Sequence, residues 1–266
     1  MSTPTRKGAR TIKDIPPDIL QSLHAGEIES ANLVEWLAVN QSLLLENCLK
    51  ALGKEAYLPA ILQRLTQIAK PSANRLQAGI GEALRLQLAK QPDEVLWQAL
   101  CAHRSDTVRC WAAYCIGQDS RLASESLFEK IKLFAADSHF GVREVAWMAC
   151  RAHIAAHLEV SIEILSTWAK SEDENLRRFA SEATRPRGVW CAHLQALKEQ
   201  PALALPILEV LHADPSRYVQ NSVGNWLNDA AKSQADFVRE LCATWQAQSP
   251  TKETSYIIKK ALRSIS

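Results

Sequence analysis

One helical phrase recurs from the middle of the chain onward, and it restricts the fold more than any other feature. Ser105-Asp106-Thr107-Val108-Arg109 aligns with Phe140-Gly141-Val142-Arg143, with Glu174-Asn175-Leu176-Arg177 and with Ser216-Arg217-Tyr218-Val219-Gln220. Each has a polar turn and an aliphatic residue, followed in all but the last by an arginine. Four residues beyond the aliphatic stands a small or apolar residue: Ala112, Ala146, Ala180 and Val223. The aliphatic positions lie 34, 34 and 43 residues apart. A period of that size, with room for two helices per unit, is that of stacked antiparallel helix pairs, an all-α, HEAT-like α-solenoid. An irregular helical bundle is the alternative.

Composition agrees with an all-α fold. Leu and Ala are the commonest residues, Glu, Gln and Lys are frequent, and only 9 glycines and 11 prolines interrupt 266 residues. At 47% apolar the chain is too hydrophobic to be disordered. The pattern predicts helices at 17–24, 30–38, 40–52, 57–69, 72–90, 94–102, 106–117, 123–135, 140–155, 158–169, 174–184, 190–198, 202–212, 217–231, 234–247 and 252–264. Residues 1–12, with Arg6, Lys7 and Arg10, read as a flexible basic arm, and residues 13–266 as a single repeat domain. The formal net charge is only +2, so any footprint for a polyanion has to be local. The seven cysteines form no Cys-x-x-Cys pair and sit mostly on apolar helical faces. They read as reduced, structural thiols rather than disulfides or metal ligands. There is no signal-peptide pattern and no apolar run long enough to span a bilayer.

The repeat register places three acids. With the aliphatic residue counted as zero, Glu144 stands at plus two, Glu182 at plus six and Asp229 at plus ten. Residues four apart share a helix face, so the acids are expected on one stripe of equivalent helices. Tyr114, Arg178, Asn221 and Asn225 belong to the same stripe. Its polarity points to a lined cleft or a solvated face. Around the middle acid, Arg177, Arg178, Arg185, Arg187 and Trp190 crowd into fourteen residues. Arg143, Arg217, Lys232, Lys259, Lys260 and Arg263 add cations at helix starts and near the end of the chain. Arginines and helix N-termini suit phosphate oxygens, and spaced contacts of this kind follow a backbone without reading its bases. An ordinary solvated charge pattern is the competing explanation, and Glu182 has a structural one in pairing with Arg178 or Arg185. Trp147, Trp190 and Trp226 lie close to the acids. A Trp is more often core, but Trp190 follows a proline-containing break and is the one expected to be exposed.

The phrase Ser181-Glu182-Ala183-Thr184-Arg185-Pro186-Arg187-Gly188-Val189-Trp190 resembles the Ser-Glu-Gly-x-Arg-Pro-Arg-x-x-Trp motif of AlkC-type DNA alkylation repair proteins. These are HEAT-like alkylpurine DNA glycosylases. Asp214-Pro215-Ser216-Arg217-Tyr218-Val219, Asn225-Trp226-Leu227-Asn228-Asp229 and Leu33-Val34-Glu35-Trp36-Leu37 are similar to the same family. The resemblance implies that Asp229 is the catalytic carboxylate, accompanied by Glu182 and Glu144. It implies that Trp190, with Trp147 nearby, lies against the damaged nucleotide and that Arg185 orders the site. Arg143, Arg178, Arg187, Arg217, Lys232, Lys259 and Lys260 would contact the DNA backbone. Three positions depart from the pattern: Ala183 replaces a Gly, Gly188-Val189 a bulkier pair, and Lys260 a common His. Some members add a β-sandwich domain, for which this chain is expected to leave no room.

Elementary chemistry supports the assignment. An N3- or N7-alkylated purine is cationic and leaves as a neutral base, so little acid help is needed. The sugar develops oxocarbenium character, and a preorganised carboxylate is the direct way to stabilise it and to orient water. No cofactor and no metal are expected. The partner expected is duplex DNA containing alkylated bases, 3-methyladenine foremost, with no membrane contact. The protein is expected to be a cytoplasmic monomer, associated with the nucleoid when bound to DNA. Two other functions fit the same fold: a non-catalytic HEAT-repeat protein binding damaged or branched DNA, and a protein-interaction scaffold.

Overall fold

The computed structural model describes residues 6–265 and contains sixteen α-helices and no strand among them. In chain order these are α1 (Pro17–Ala25), α2 (Leu33–Ala38), α3 (Gln41–Ala51), α4 (Leu58–Leu65), α5 (Ala73–Lys90), α6 (Glu94–Cys101), α7 (Asp106–Gly117) and α8 (Ser124–Ala135). There follow α9 (Phe140–Ala156), α10 (Leu158–Trp168), α11 (Glu174–Ala183), α12 (Gln195–Glu199), α13 (Leu205–Leu211), α14 (Arg217–Ala231), α15 (Ala235–Gln248) and α16 (Lys252–Leu262). Side-chain caps explain several starts. Asn32, Asn40, Ser72, Asp93, Asp173, Ser216 and Thr251 each accept a backbone N–H of the first turn that follows.

Two expected helices come out differently. The segment expected to be helical from 190 stays irregular until Gln195, because Trp190 adopts a left-handed backbone with φ of 59°. The helix expected from 202 opens as a 3-10 turn, Pro201–Ala204, before α13. Part of the expected basic arm, residues 1–5, and Ser266 of the expected domain lie outside the described residues. Within the arm, Arg6 is tied down by a two-point ion pair with Glu35, whose side chain is buried.

The chain forms two compact units, one of the described residues up to Asp119 with Ser138–Ala149, the other of Ser120–Asp137 with Cys150 onward. In the first, α4 packs on α5, α6 on α7, and α5 lies beside α7. In the second, α10 lies between α8 and α13, while α11, α14 and α16 pack in succession. The repeat phrase is the core of this arrangement. Val108, Val142, Leu176 and Val219 are buried, and Ala112, Ala146, Ala180 and Val223 are fully so.

The residue after the aliphatic is a turn clamp. Arg109 Nη1 donates to the carbonyls of His103 at 2.7 Å and Arg104 at 3.1 Å. Arg143 Nη1 donates to Ser138 at 2.8 Å, and Arg177 Nη1 to Ser171 at 3.0 Å and Glu172 at 2.8 Å. Gln220 Nε2 replaces the arginine and donates to Asp214 at 2.7 Å. Each satisfies carbonyls left over where the preceding turn reverses the chain. All seven cysteines are free thiols, and burial pushes Cys48 and Cys101 up to about 12. Among the described residues no helix is long and apolar enough to cross a membrane.

Candidate functional site

The carboxylate cluster is assembled in the second unit by the end of α11, the loop after it and the last turns of α14. That loop is shaped by Arg151 of α9, a residue buried at 4% exposure. Its Nη1 donates to the carbonyls of Ala183 at 2.8 Å and Arg185 at 2.9 Å, and its Nη2 to Ala192 at 2.9 Å. Three carbonyls of one bend thus converge on one guanidinium. Burial pulls the Arg151 pKa down, since its nearest partners are neutral. Gly188 is required by this packing, because a Cβ there would run into Cys191 Sγ and the Arg151 guanidinium. Trp226 Nε1 fixes the loop from the α14 side by donating to the Thr184 carbonyl at 2.9 Å.

This loop delivers Arg185 between two buried acids. Arg185 Nη1 donates to Glu182 Oε1 at 2.6 Å. Its Nε and Nη2 both donate to Asp229 Oδ2, at 2.9 and 2.7 Å. Glu182 Oε2 accepts the Ser222 hydroxyl at 2.7 Å and lies 3.6 Å from Arg178 Nη2. Glu182 is 3% exposed and Asp229 4%. Burial alone would raise the Glu182 pKa, but Arg178, Arg185 and the Ser222 hydroxyl outweigh it and hold the carboxyl below the usual range. Burial alone would lower the Arg185 pKa, and the two carboxylates reverse that. Asp229 Oδ1 faces Lys232 Nζ at 3.4 Å. Two carboxylates and three cations therefore form one network through Arg185, with one Asp229 oxygen held rigidly and the other, among the described residues, by a lysine alone.

The remaining expected residues fall in several places. Trp190 is 59% exposed and directly follows the pinned loop, as expected of a ring available to a partner. Arg187 donates from Nε to the Asp229 carbonyl at 3.2 Å and from Nη2 to Ser233 Oγ at 2.7 Å, closing the end of α14. Arg178 stacks on the Tyr218 ring at 4.3 Å, and Arg217 on the Tyr256 ring at 3.6 Å. Lys260 Nζ and the Tyr256 hydroxyl both donate to Asn221 Oδ1, at 2.9 and 2.8 Å. Arg263 Nη2 donates to Asn225 Oδ1 at 3.2 Å. Lys259 is exposed. Asn221, Asn225 and Asp229 thus do share the stripe of α14 that the register predicts, and α16 packs along it. Glu144 and Trp147 belong to the first unit, where Trp147 Nε1 donates to Glu144 Oε2 at 2.9 Å and the Trp147 ring is buried. Arg143, in the same unit, is committed to its turn. Arg151 carries one signal in the sequence, an arginine beside the core residues Ala149, Cys150 and Ile154. Among the described residues no group of His, Cys, Asp or Glu is placed to hold a metal ion.

The fold class is HEAT-like, and residues 142–265 match the model of a family described as DNA alkylation repair enzyme. The chain resembles the AlkC-type proteins of DNA alkylation repair, as its central phrase does. YhaZ, an uncharacterized protein of Bacillus subtilis (strain 168), is 36% identical over 137 residues, which are 52% of this chain and 37% of YhaZ. The structure of Pseudomonas fluorescens alkylpurine DNA glycosylase AlkC, bound to DNA containing an abasic site analog, superposes with a TM-score of 0.67 at 22% identity. That match covers 97% of this chain and 65% of AlkC. AlkD2 from Streptococcus mutans gives a TM-score of 0.57 at 22% identity over 79% of this chain and 97% of its own. The chain thus spans less than two thirds of the length of YhaZ and of AlkC.

Proposed function

We propose that the protein is a DNA glycosylase that hydrolyses the N-glycosidic bond of alkylated, cationic bases such as 3-methyladenine in duplex DNA. The observation that carries this reading is Asp229: a buried carboxylate with one oxygen fixed by two donors of Arg185 and the other turned toward an exposed lysine. A carboxylate so preorganised stabilises positive charge on a sugar at no reorganisation cost. Bond cleavage sends the glycosidic electron pair to the cationic base, which departs neutral. The deoxyribose is left as an oxocarbenium-like centre beside Asp229, water adds at that carbon, and its proton passes to solvent or to the carboxylate. Glu182 contributes negative potential and, through Arg185, the orientation of Asp229. Trp190 supplies the aromatic face for the damaged nucleotide. Arg178, Arg187, Arg217, Lys232, Lys259 and Lys260 supply the backbone contacts, and the protein works as a monomer. The parts expected of Glu144, Trp147 and Arg143 rest on the sequence alone. The family match and the Pseudomonas AlkC fold support the reading.

The test is incubation of the protein with duplex DNA carrying N3- and N7-methylated purines, with free base and abasic sites quantified. Asp229→Asn is expected to lower base release by about 100-fold or more while still binding DNA with an abasic-site analog. Undiminished release by Asp229→Asn sinks the mechanism. No release by the wild type, with DNA binding intact, leaves a non-catalytic DNA-binding protein.

A further inference from the structure

We propose that Lys232 is a removable counter-ion of Asp229, surrendered to a DNA phosphate when substrate binds, so that docking itself unmasks the catalytic carboxylate. This rests on the glycosylase reading above. The two oxygens of Asp229 are held in different ways. Oδ2 is saturated by Arg185 Nε and Nη2, and Arg185 is itself buried and locked by Glu182. Oδ1 has Lys232 Nζ at 3.4 Å, and the Lys232 side chain is 48% exposed against 6% for Asp229. A half-exposed lysine pair of this length is weak and is screened by solvent and salt. Its ammonium is a compact charge on a flexible four-carbon stem, suited to phosphate as a point contact.

The charge count gives the contact its consequence. Glu182 and Asp229 pair with Arg178, Arg185 and Lys232, two negative charges against three positive. With Lys232 in place the cluster is net cationic and opposes a second cation developing on the sugar. Withdrawing Lys232 removes one positive charge from the cluster and leaves Oδ1 without its lysine. Arg185 cannot play this part, because moving it would unpair two buried acids at once. Lys232 sits at the C-cap of α14, three residues beyond Asp229, so the same short stem reaches either the carboxylate or an incoming backbone.

Exchange of this kind makes affinity and rate respond in opposite directions. Lys232→Met removes a phosphate contact and leaves Asp229 unmasked. It is expected to bind a duplex containing an abasic-site analog several-fold more weakly, with a salt slope reduced by about one. Its single-turnover base release at saturating protein is expected to exceed wild type several-fold, because the carboxylate no longer has a lysine to shed. Lys232→Arg retains the phosphate contact but grips the carboxylate bidentately, and is expected to bind at least as well and release base several-fold more slowly. A merely structural lysine would lower both quantities together in both variants. Parallel losses in Lys232→Met, or an Lys232→Arg rate equal to wild type, overturn the exchange while wild-type base release keeps the glycosylase reading. A wild type that releases no base from methylated duplex overturns that reading, and this proposal with it.

Discussion

Arg185 holds two acids that would otherwise destabilise the folded chain. An ionised carboxylate at 3–4% exposure is tolerated only when paired and hydrogen-bonded, and Glu182 and Asp229 share one guanidinium to meet that condition. The arrangement ties a site feature to stability, and therefore to pH. The folded pKa of Glu182 is depressed, so its contribution is fully present above the ordinary glutamate value of about 4.3 and is lost as pH falls through the folded value. Glu182→Gln keeps the shape but leaves Arg178 and Arg185 short of a partner, at an expected cost of about 3–5 kcal/mol near pH 7. Urea unfolding of both proteins between neutral and acidic pH should show that gap closing below the ordinary carboxylate range. A gap that stays constant with pH would show that Glu182 is not the ionised partner. At this scale the sequence announced Glu182, Arg185, Trp190 and Asp229, because they stand in one phrase or at one register. It did not announce Arg151, since its three carbonyl partners lie more than thirty residues on in a loop whose course no local pattern predicts.

At the scale of elements, the most legible feature was the helical period and the least legible was what its arginine does. Apart from the segments from 190 and from 202, the helices lie close to where apolar periodicity puts them, because that signal is local. The arginine after each buried aliphatic looked from its position like a phosphate contact at a helix start. Instead it bonds backwards to the carbonyls of the preceding turn, five or six residues earlier. Arg177 does this and also clasps the buried Asp214 through Nε at 2.7 Å and Nη2 at 3.2 Å. Asp214 in turn accepts the Ser216 N–H at 2.8 Å, so one arginine links the starts of α11 and α14. Arg177→Ala should therefore destabilise the chain by about 2 kcal/mol, through charged hydrogen bonds lost and a carboxylate left without its cation. Chemical denaturation measures this directly. A change within about 0.5 kcal/mol, the range of an ordinary surface substitution, would return Arg177 to the solvent-facing class. The break at 190–194 belongs to the same scale: Pro186 and Gly188 signal a turn, but the positive φ of Trp190 has no local signal.

At the scale of the whole molecule charge is nearly balanced, 31 basic residues against 29 acidic, so attraction to a polyanion depends on where cations escape neutralisation. They do so along α14 and α16. Arg217, Lys260 and Arg263 are held by the Tyr256 ring and by the amide oxygens of Asn221 and Asn225, and among the described residues none of the three pairs with a carboxylate. Neutral partners fix these side chains without cancelling their charge, which reduces the ordering cost when a phosphate arrives. Asn221 and Asn225 thus explain why the stripe ending in Asp229 is polar throughout: they orient cations upstream of the acid. Each phosphate neutralised releases condensed counter-ions, so the logarithm of the binding constant should fall linearly with the logarithm of salt concentration. Arg217→Ala and Lys260→Ala should each lower that slope by about one, weaken binding alike on undamaged and abasic-site duplex, and add in the double variant. Folding stability should change by less than about 1 kcal/mol, because both side chains are partly exposed. Titration of labelled duplex across a salt series reads all of this. An unchanged slope, or a loss confined to damaged DNA, would take the DNA backbone away from this face and leave its cations a structural part in the packing of α16 on α14.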